Sequence, residues 1–385
     1  MASIYLHIPY CEKKCIYCDF YSIENMNSME KFLTSLHQEI TLRSKTLFLP
    51  LSFETIFFGG GTPSLLSPST IEKILNTLHK QYHILPNAEI TVETNPGTVN
   101  KEKLKDFRSL GINRLSIGIQ SFYPDELQFL GRIHSAEEAK QCVSDAYNSG
   151  FENLNVDLIF SLPNQTPERW ENNLQQAIEL HPKHISAYSL IVEEQTPLFS
   201  MVKNGVVTPL PEDIDAAMYE TTIETLSNAG YNQYEISNYA KDGYDCQHNN
   251  NYWNHSDYIS FGPSAHSFLK KNPQEGKRWW NVRSIQQYCE MLEKEKFPLG
   301  GEEEITTEKF LDEEIFLGLR SKGIDIQKIS SLYGINILSF CEDIIAKYQQ
   351  KEMLVIENNY LRLTPKGYMM CDSVVEEFLN FVYVK

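Results

Sequence analysis

The chain has 385 residues, and its hydrophobic content of 42% supports a well-buried core, so we expect two domains, one of them large. Its formal net charge of −17 argues against nucleic acid as a partner, because phosphate groups would be repelled by such a surface. The absence of a secretory signal, of an apolar run of about 20 residues and of a disulfide framework favours a cytoplasmic protein.

Strands and helices alternate through the first 230 residues. Strands are predicted at 3–8, 55–58, 89–94, 113–119, 154–160 and 184–190. Helices are predicted at 28–43, 67–82, 100–110, 135–149, 166–180 and 211–229, with another from residue 124. Six strand–helix units in series predict parallel strands with helices outside, and both a doubly wound sheet and a barrel fit this pattern. The chemically unusual residues follow the carboxyl ends of strands, the functional edge of either fold.

The pattern changes near residue 300. The segment 300–304 is predicted to be a polar hinge, and three helices and two short strands follow it. The helices are predicted at 307–319, 326–333 and 337–350, and the strands at 354–356 and 360–363. Three helices with a two-stranded wing are typical of a winged-helix domain. Because acidic residues outnumber basic ones here, we expect a protein-contact or lid module rather than a DNA reader.

Three cysteines, Cys11, Cys15 and Cys18, follow the first predicted strand within eight residues. Thiolates spaced this closely can bind one soft metal centre, either zinc or an iron–sulfur cluster. Both normally take four protein ligands, so an iron–sulfur cluster here would leave one iron open to a small molecule. A zinc site would need a fourth ligand, for which His7, Asp19 and Cys246 are candidates.

A glycine-rich segment, 59–63, follows the second predicted strand and reads Gly-Gly-Gly-Thr-Pro. Three glycines allow the backbone to approach a ligand closely and leave its amides free for polar groups. The segment has neither the Gly-Lys-Ser/Thr ending of a Walker loop nor the G-x-G-x-x-G pattern. A tight turn between strand and helix is the alternative explanation.

Together these motifs resemble the radical S-adenosylmethionine (SAM) proteins, and more narrowly the oxygen-independent coproporphyrinogen III dehydrogenase family. The narrower resemblance covers nearly the whole chain and is carried by segments 5–11, 58–64, 116–122, 130–134 and 157–163. It implies a partial (β/α)6 barrel with a winged-helix-like α+β domain at the carboxyl end. The corresponding domains are 1–230, an extension at 231–300, and 301–385.

The resemblance also implies cofactors and the residues that hold them. A [4Fe-4S] cluster would be held by the three cysteines, with SAM chelating the fourth iron. The implied SAM contacts are Tyr5, Tyr17, Gly60, Gly61, Thr62, Glu93, Gln120, Arg132 and Asp157. Arg132 would pair with the SAM carboxylate, and Asp157 would accept hydrogen bonds from the ribose. The alternative for the charged residues is an ordinary salt bridge.

Two departures from the dehydrogenase pattern favour the HemW-type heme chaperone branch of this family. The dehydrogenase has a fourth cysteine two residues after the third, where this chain has Phe20. It also has a longer segment before the cluster, whereas ten residues precede Cys11 here.

Segment 248–253 matches the His-Asn-x-x-Tyr-Trp motif associated with heme in that branch. The resemblance implies that His248, Tyr252 and Trp253 contact heme, and His266 and His255 are further candidate ligands. The alternative is that His248 caps a turn and the two aromatic residues belong to the core.

These observations favour a heme chaperone that binds a [4Fe-4S] cluster, SAM and heme and delivers heme to an acceptor, expected to be a respiratory hemoprotein. The first alternative is a radical enzyme that decarboxylates coproporphyrinogen III, so enzymatic activity is left open. The second alternative is a binding protein that is stabilised by a bound metal and carries out no redox chemistry. The resemblance leaves room for a homodimer and for peripheral association with a membrane.

Overall fold

A computed structural model describes residues 1–46 and 51–384, and of residues 381–384 only the backbone. Lys385, the end of the predicted third domain, lies outside the described residues. Six strands come first along the chain: β1 (Ala2–Ile8), β2 (Ser52–Gly60), β3 (His83–Thr94), β4 (Arg114–Gln120), β5 (Asn153–Phe160) and β6 (His184–Ser189). They lie side by side in chain order, and each pairs in parallel with the next. The predicted α/β class with six units is therefore confirmed.

The order of these strands distinguishes between the two folds that the sequence allowed. A doubly wound sheet reverses its strand order at a switch point, whereas β1–β6 run without reversal, as in a barrel. The barrel is partial: β6 pairs with a later strand in antiparallel orientation and β1 pairs with a different later strand in parallel orientation, so β1 and β6 do not meet.

Helices cover the outside of these strands. They are α1 (Met29–Ser44), α2 (Pro68–Gln81), α3 (Lys101–Ser109), α4 (Pro124–Leu130), α5 (Ala136–Asn148), α6 (Pro167–Glu179), α7 (Pro197–Lys203) and α8 (Glu212–Asn228). Local sequence sets several of their starts: the Ser67 hydroxyl accepts the Thr70 amide, and Ser135 and Glu138 form a capping box. Ser28 precedes α1, but its hydroxyl bonds Tyr10 instead of capping the helix.

An extension continues the sheet on both sides of the barrel. It comprises β7 (Asn232–Gln233), β8 (Asn238–Ala240), α9 (Gln247–Trp253), β9 (Asp257–Phe261), β10 (His266–Asn272), β11 (Glu275–Asn281), α10 (Ile285–Glu293) and β12 (Leu299–Ile305). Within the described residues the twelve strands form one sheet in the order β12-β11-β10-β9-β1-β2-β3-β4-β5-β6-β8-β7.

The predicted hinge at 300–304 is wrong, because this segment is most of β12, an edge strand paired with β11. Glu302 forms an ion pair with Lys277 (Nζ–Oε2 2.9 Å), and Gly301 lies opposite Trp280. The polar composition that indicated a hinge is that of a strand exposed at the edge of a sheet.

A second hydrophobic cluster lies at the carboxyl end. Its elements are α11 (Thr307–Leu319), β13 (Ile324–Asp325), α12 (Ile326–Tyr333), α13 (Ile337–Phe340), α14 (Glu342–Gln350), β14 (Leu354–Glu357), β15 (Tyr360–Leu363), α15 (Pro365–Tyr368) and α16 (Cys371–Val384). The winged-helix-like arrangement is confirmed, although β13 adds a third strand and the helix predicted at 337–350 is interrupted at Cys341. Across the described ranges, no helix has the length and apolarity to cross a membrane.

Candidate functional site

The three clustered cysteines lie on the loop that follows β1, at the carboxyl edge of the barrel. Backbone hydrogen bonds hold this loop: the Cys11 amide donates to the Ile23 carbonyl at 3.0 Å, and the Cys18 amide donates to the Cys15 carbonyl at 3.3 Å. All three thiols are partly exposed and free of disulfides. The loop therefore presents three soft ligands to one side of the barrel.

A cavity of about 410 Å³ opens beside this loop. Its walls contain all three cysteines and every predicted SAM residue except Tyr5. These residues are Cys11, Cys15, Tyr17, Cys18, Gly60, Gly61, Thr62, Glu93, Gln120, Arg132 and Asp157. The structure thus brings together residues from β2, β3, β4 and β5, from the loops after β2 and α4, and from the cysteine loop.

Tyr5 lies apart from the cavity because it is in the middle of β1 rather than at its end. Its hydroxyl lies 3.2 Å from His7 Nδ1, and its ring covers Gly59, where a Cβ atom would fall 2.8 Å from Tyr5 Cε2. Tyr5 therefore supports the glycine segment from behind.

The glycine segment is packed too tightly for side chains. Gly60 has a φ of +106°, and a Cβ atom there would fall 2.7 Å from the His7 ring. A Cβ atom at Gly61 would fall 2.5 Å from the Tyr10 carbonyl oxygen. Only glycine fits these two positions without strain or steric overlap. The segment therefore brings its backbone up to the cavity wall, as the sequence predicts.

Arg132 links the cysteine loop to the ends of the strands. Its Nη2 donates to Asn95 Oδ1 at 2.7 Å, and its Nη1 lies 3.7 Å from Cys15 Sγ. Asn95 in turn donates to Thr62 Oγ1 at 3.0 Å, and Thr62 Oγ1 lies 3.6 Å from Cys11 Sγ. These contacts fix a guanidinium beside the thiols, where it can balance an anionic cluster or pair with a carboxylate.

Two buried carboxyl groups face the cavity. Burial, and next the negative charge of Asp157, raise the pKa of Glu93 to about 8. Glu93 Oε2 accepts the Gly60 amide at 3.2 Å. Burial also raises the pKa of Asp157, although Ser116 and Asn155 donate hydrogen bonds to it at 3.0 and 2.7 Å. A cationic or hydroxyl-bearing ligand would suit this wall.

Several lining residues were not predicted, among them Asn95, Ser116, Asn155, Ser186 and Tyr188. Asn155 precedes Asp157 by two positions, and the alternation of a strand places both on one face. Asn95 comes two residues after Glu93, at the same strand end. Both asparagines could therefore have been predicted from their spacing of two residues from Asp157 and Glu93.

The donor set fits an iron–sulfur cluster, since three thiols share one cavity wall and each would hold a different iron. Among the residues that the structure describes, no three His, Cys, Asp or Glu side chains are grouped to hold a single metal ion. Of the fourth ligands considered for zinc, His7 bonds the Tyr21 carbonyl through Nε2 at 2.7 Å, and Cys246 is buried against Glu89.

The heme motif lies behind the cavity rather than in it. His248 is 2% exposed, and its ring stacks on Phe57 with centroids 4.9 Å apart. Its Nδ1 lies 2.7 Å from Thr55 Oγ1, and its Nε2 lies 3.1 Å from the Tyr252 hydroxyl. Both ring nitrogens therefore already have partners, and only Asn249 of the motif lines the cavity.

The remaining heme candidates lie in different surroundings. His255 is buried between Phe268 and Phe310, and its Nε2 is 2.8 Å from Glu313 Oε2 in α11. It therefore serves the domain contact. His266 is exposed at the start of β10.

His248 provides a prediction about acid stability. Burial, and next the Arg114 guanidinium, lower its pKa from 6.5 to about 3. Below pH 6.5 the unfolded chain binds a proton here that the folded chain does not bind, so the free energy of unfolding should fall by up to roughly 1.4 kcal/mol per pH unit. In urea unfolding between pH 7 and 5, His248→Gln should have a shallower pH slope than the wild type. The same substitution at the exposed His79 is the matched control, and a slope in His248→Gln equal to that of the wild type would contradict the prediction.

Comparison with known proteins adds family information. The model of the radical SAM superfamily matches residues 5–177, and that of the HemN C-terminal domain matches residues 305–370. The heme chaperone HemW of Bacillus subtilis (strain 168) is 34% identical over 386 residues, covering 99% of this chain and 100% of that protein. The heme chaperone HemW of Escherichia coli (strain K12) is 42% identical over 272 residues, 69% of each chain.

A solved structure, that of coproporphyrinogen III oxidase (HemN) from Escherichia coli, covers 99% of this chain and 90% of its own with a TM-score of 0.83. At 22% identity this likeness establishes the fold alone.

Proposed function

Because this chain belongs to the HemW family of radical SAM proteins, we propose that it is a heme chaperone that binds a [4Fe-4S] cluster, SAM and heme. The observation that carries the proposal is the end-to-end match to a protein named heme chaperone HemW, 34% identical over 99% of this chain. Phe20 supports it, since it occupies the position at which the dehydrogenase family has a further cysteine.

The cavity suits the cofactors that the family implies. Cys11, Cys15 and Cys18 would hold the cluster, which supplies an open iron for a small chelating ligand. Arg132 would pair with the carboxylate of SAM, and Asp157 would accept hydrogen bonds from its ribose. The backbone at Gly60 and Gly61 would contact the methionine moiety.

The acceptor of heme is proposed to be a respiratory hemoprotein. The chain is proposed to act in the cytoplasm, as a monomer or a homodimer. The three segments 1–230, 231–300 and 301–385 are proposed as domains, with the last as a protein-contact module. Its acidic character supports contact with protein rather than with nucleic acid.

Titration of the purified, cluster-reconstituted chain with hemin tests the proposed function. We expect a saturable Soret band that reports one heme per chain, and transfer of that heme to an apo-hemoprotein. A linear, non-saturating response would overturn the function.

The dehydrogenase remains the second candidate, because residues 305–370 match the model of the HemN C-terminal domain. An anaerobic assay with coproporphyrinogen III, SAM and a reductant distinguishes the two. Formation of protoporphyrinogen that requires both SAM and Cys11 would replace the chaperone with the enzyme.

Glu93 provides a prediction about SAM binding. Its pKa of about 8 means that the empty site holds it mostly protonated at pH 7. The sulfonium cation of SAM favours the carboxylate, so binding should release this proton, and affinity should rise with pH until about pH 8. Isothermal titration between pH 6.5 and 8.5 measures this slope. Glu93→Gln should bind SAM with a smaller pH dependence, and an equal slope in both proteins would refute the assignment.

A further inference from the structure

An iron-ligating imidazole needs a ring nitrogen that is free and can be reached by the macrocycle. Four of the ten histidines are exposed: His79, His83, His181 and His266. His79 lies in the last turn of α2, His83 begins β3 and His181 precedes β6, so these three lie at the amino ends of the barrel strands. His266 lies at the opposite edge, because β10 runs antiparallel to β9, and β9 runs parallel to β1.

His266 is held by a built platform. Its ring stacks on the indole of Trp280, with centroids 5.7 Å apart and an angle of 21° between the planes. Trp280 lies across Gly301, where a Cβ atom would fall 2.3 Å from the indole Cζ2. Neither ring nitrogen of His266 has a hydrogen-bond partner among the described residues. Its plane is therefore fixed, while its nitrogens remain free.

This platform adjoins the cluster cavity. Gly262, four residues before His266, packs on His7, where an added Cβ atom would fall 3.2 Å from His7 Cβ. His7 in turn packs on Gly60, which lines the cavity. The pKa of His7 is lowered to about 4, mainly by burial. Arg283 and His266 both lie near enough to His7 to contribute to this lowering. A ligand on His266 would thus lie beside the mouth of the cavity.

An exposed aromatic residue and an exposed cation accompany His266. Phe20 is 64% exposed and lines the cavity. Arg283 donates to the carbonyl oxygen of Asp19, the neighbour of Phe20. A ligand that has an apolar macrocycle and acidic substituents suits Phe20 and Arg283. The aromatic side chain can pack on the macrocycle, and the guanidinium can pair with a carboxylate.

We infer that heme binds at this edge with the His266 imidazole as its iron ligand, in place of His248. Trp280 holds the imidazole plane, Phe20 contacts the macrocycle and Arg283 pairs with a propionate. This assignment rests on the proposed heme chaperone function and names the site through which it acts.

Hemin titrations of the full chain test the assignment. His266→Ala should weaken binding by roughly tenfold or more, while His248→Gln and the exposed control His79→Ala should bind as the wild type does. His266→Cys should retain heme with a displaced Soret band, because a thiolate would replace the imidazole. A merely structural role for His266 would not move the band. Gly301→Val, which displaces Trp280, should weaken binding without moving it.

The outcomes separate this assignment from the function. If the wild type shows no saturable binding, the chaperone function fails. If the wild type binds heme and His266→Ala binds equally well, the function stands and His266 is not the ligand. Loss of binding in His248→Gln, with retention in His266→Ala and circular dichroism unchanged, would return the ligand to the motif.

Discussion

Replacing Cys11, Cys15 or Cys18 by alanine is expected to abolish assembly of the [4Fe-4S] cluster. Each thiolate would hold one iron, and two remaining ligands in a partly solvated cavity cannot retain four irons against water and chelators. Anaerobic reconstitution followed by iron and sulfide analysis measures the effect: about four of each per chain in the wild type, and close to none in the variants.

The matched control is Cys142→Ala, in the buried face of α5 and outside the cavity. It should assemble the cluster as the wild type does. Because the three loop cysteines are partly exposed, their variants should also unfold within about 1 kcal/mol of the wild-type apoprotein. A full complement of iron and sulfide in any of the three variants would show that the cysteine loop is not the cluster site.

The sequence allowed the cavity to be predicted because strand order determines where strand ends meet. Glu93, Gln120 and Asp157 lie at or near the carboxyl ends of β3, β4 and β5, and parallel strands bring those ends to one edge. The repeating pattern of strand and helix was sufficient for the common edge, whereas the individual residues at it came from the family resemblance. Tyr5 does not line the described cavity, because the family pattern gives a residue's strand but not how deep its side chain lies.

The surroundings of the heme motif could not be predicted in the same way. His248 is bonded to Thr55, 193 positions earlier in the chain. No local pattern reports such a contact, and a motif of polar and aromatic residues suits both a ligand site and a core. The strands β9–β12 were missed for a related reason: Trp280 and Gly301 are paired by sheet register, which the sequence alone does not specify.

Removing the buried charge of Glu89 should have the largest effect on stability. Glu89 is 5% exposed, and its carboxylate accepts the His248 amide at 3.1 Å and the Gln247 amide at 3.3 Å, at the start of α9. Arg114 is 2% exposed nearby. Burial alone would lower the pKa of Arg114, yet its pKa is raised by its neighbours, first Cys246 and then the carboxyl group of Glu89. Glu89→Gln therefore leaves a buried guanidinium poorly compensated, at a cost of about 3–5 kcal/mol.

Urea unfolding of the apoprotein, with a double-substitution cycle, separates this loss from a general packing defect. Glu89→Gln combined with Arg114→Met should be less destabilising than the two single changes added together, by more than about 1 kcal/mol, because the second substitution removes the charge that the first one stranded. Glu293→Gln, in the exposed ion pair with Lys31, should have little effect on stability, because solvent screens an exposed pair. Hydrogen exchange adds a local readout: the amides of Gln247 and His248 should lose protection in Glu89→Gln. If the two single changes simply add, the carboxylate and the guanidinium are not coupled, and α9 is held to the barrel by packing alone.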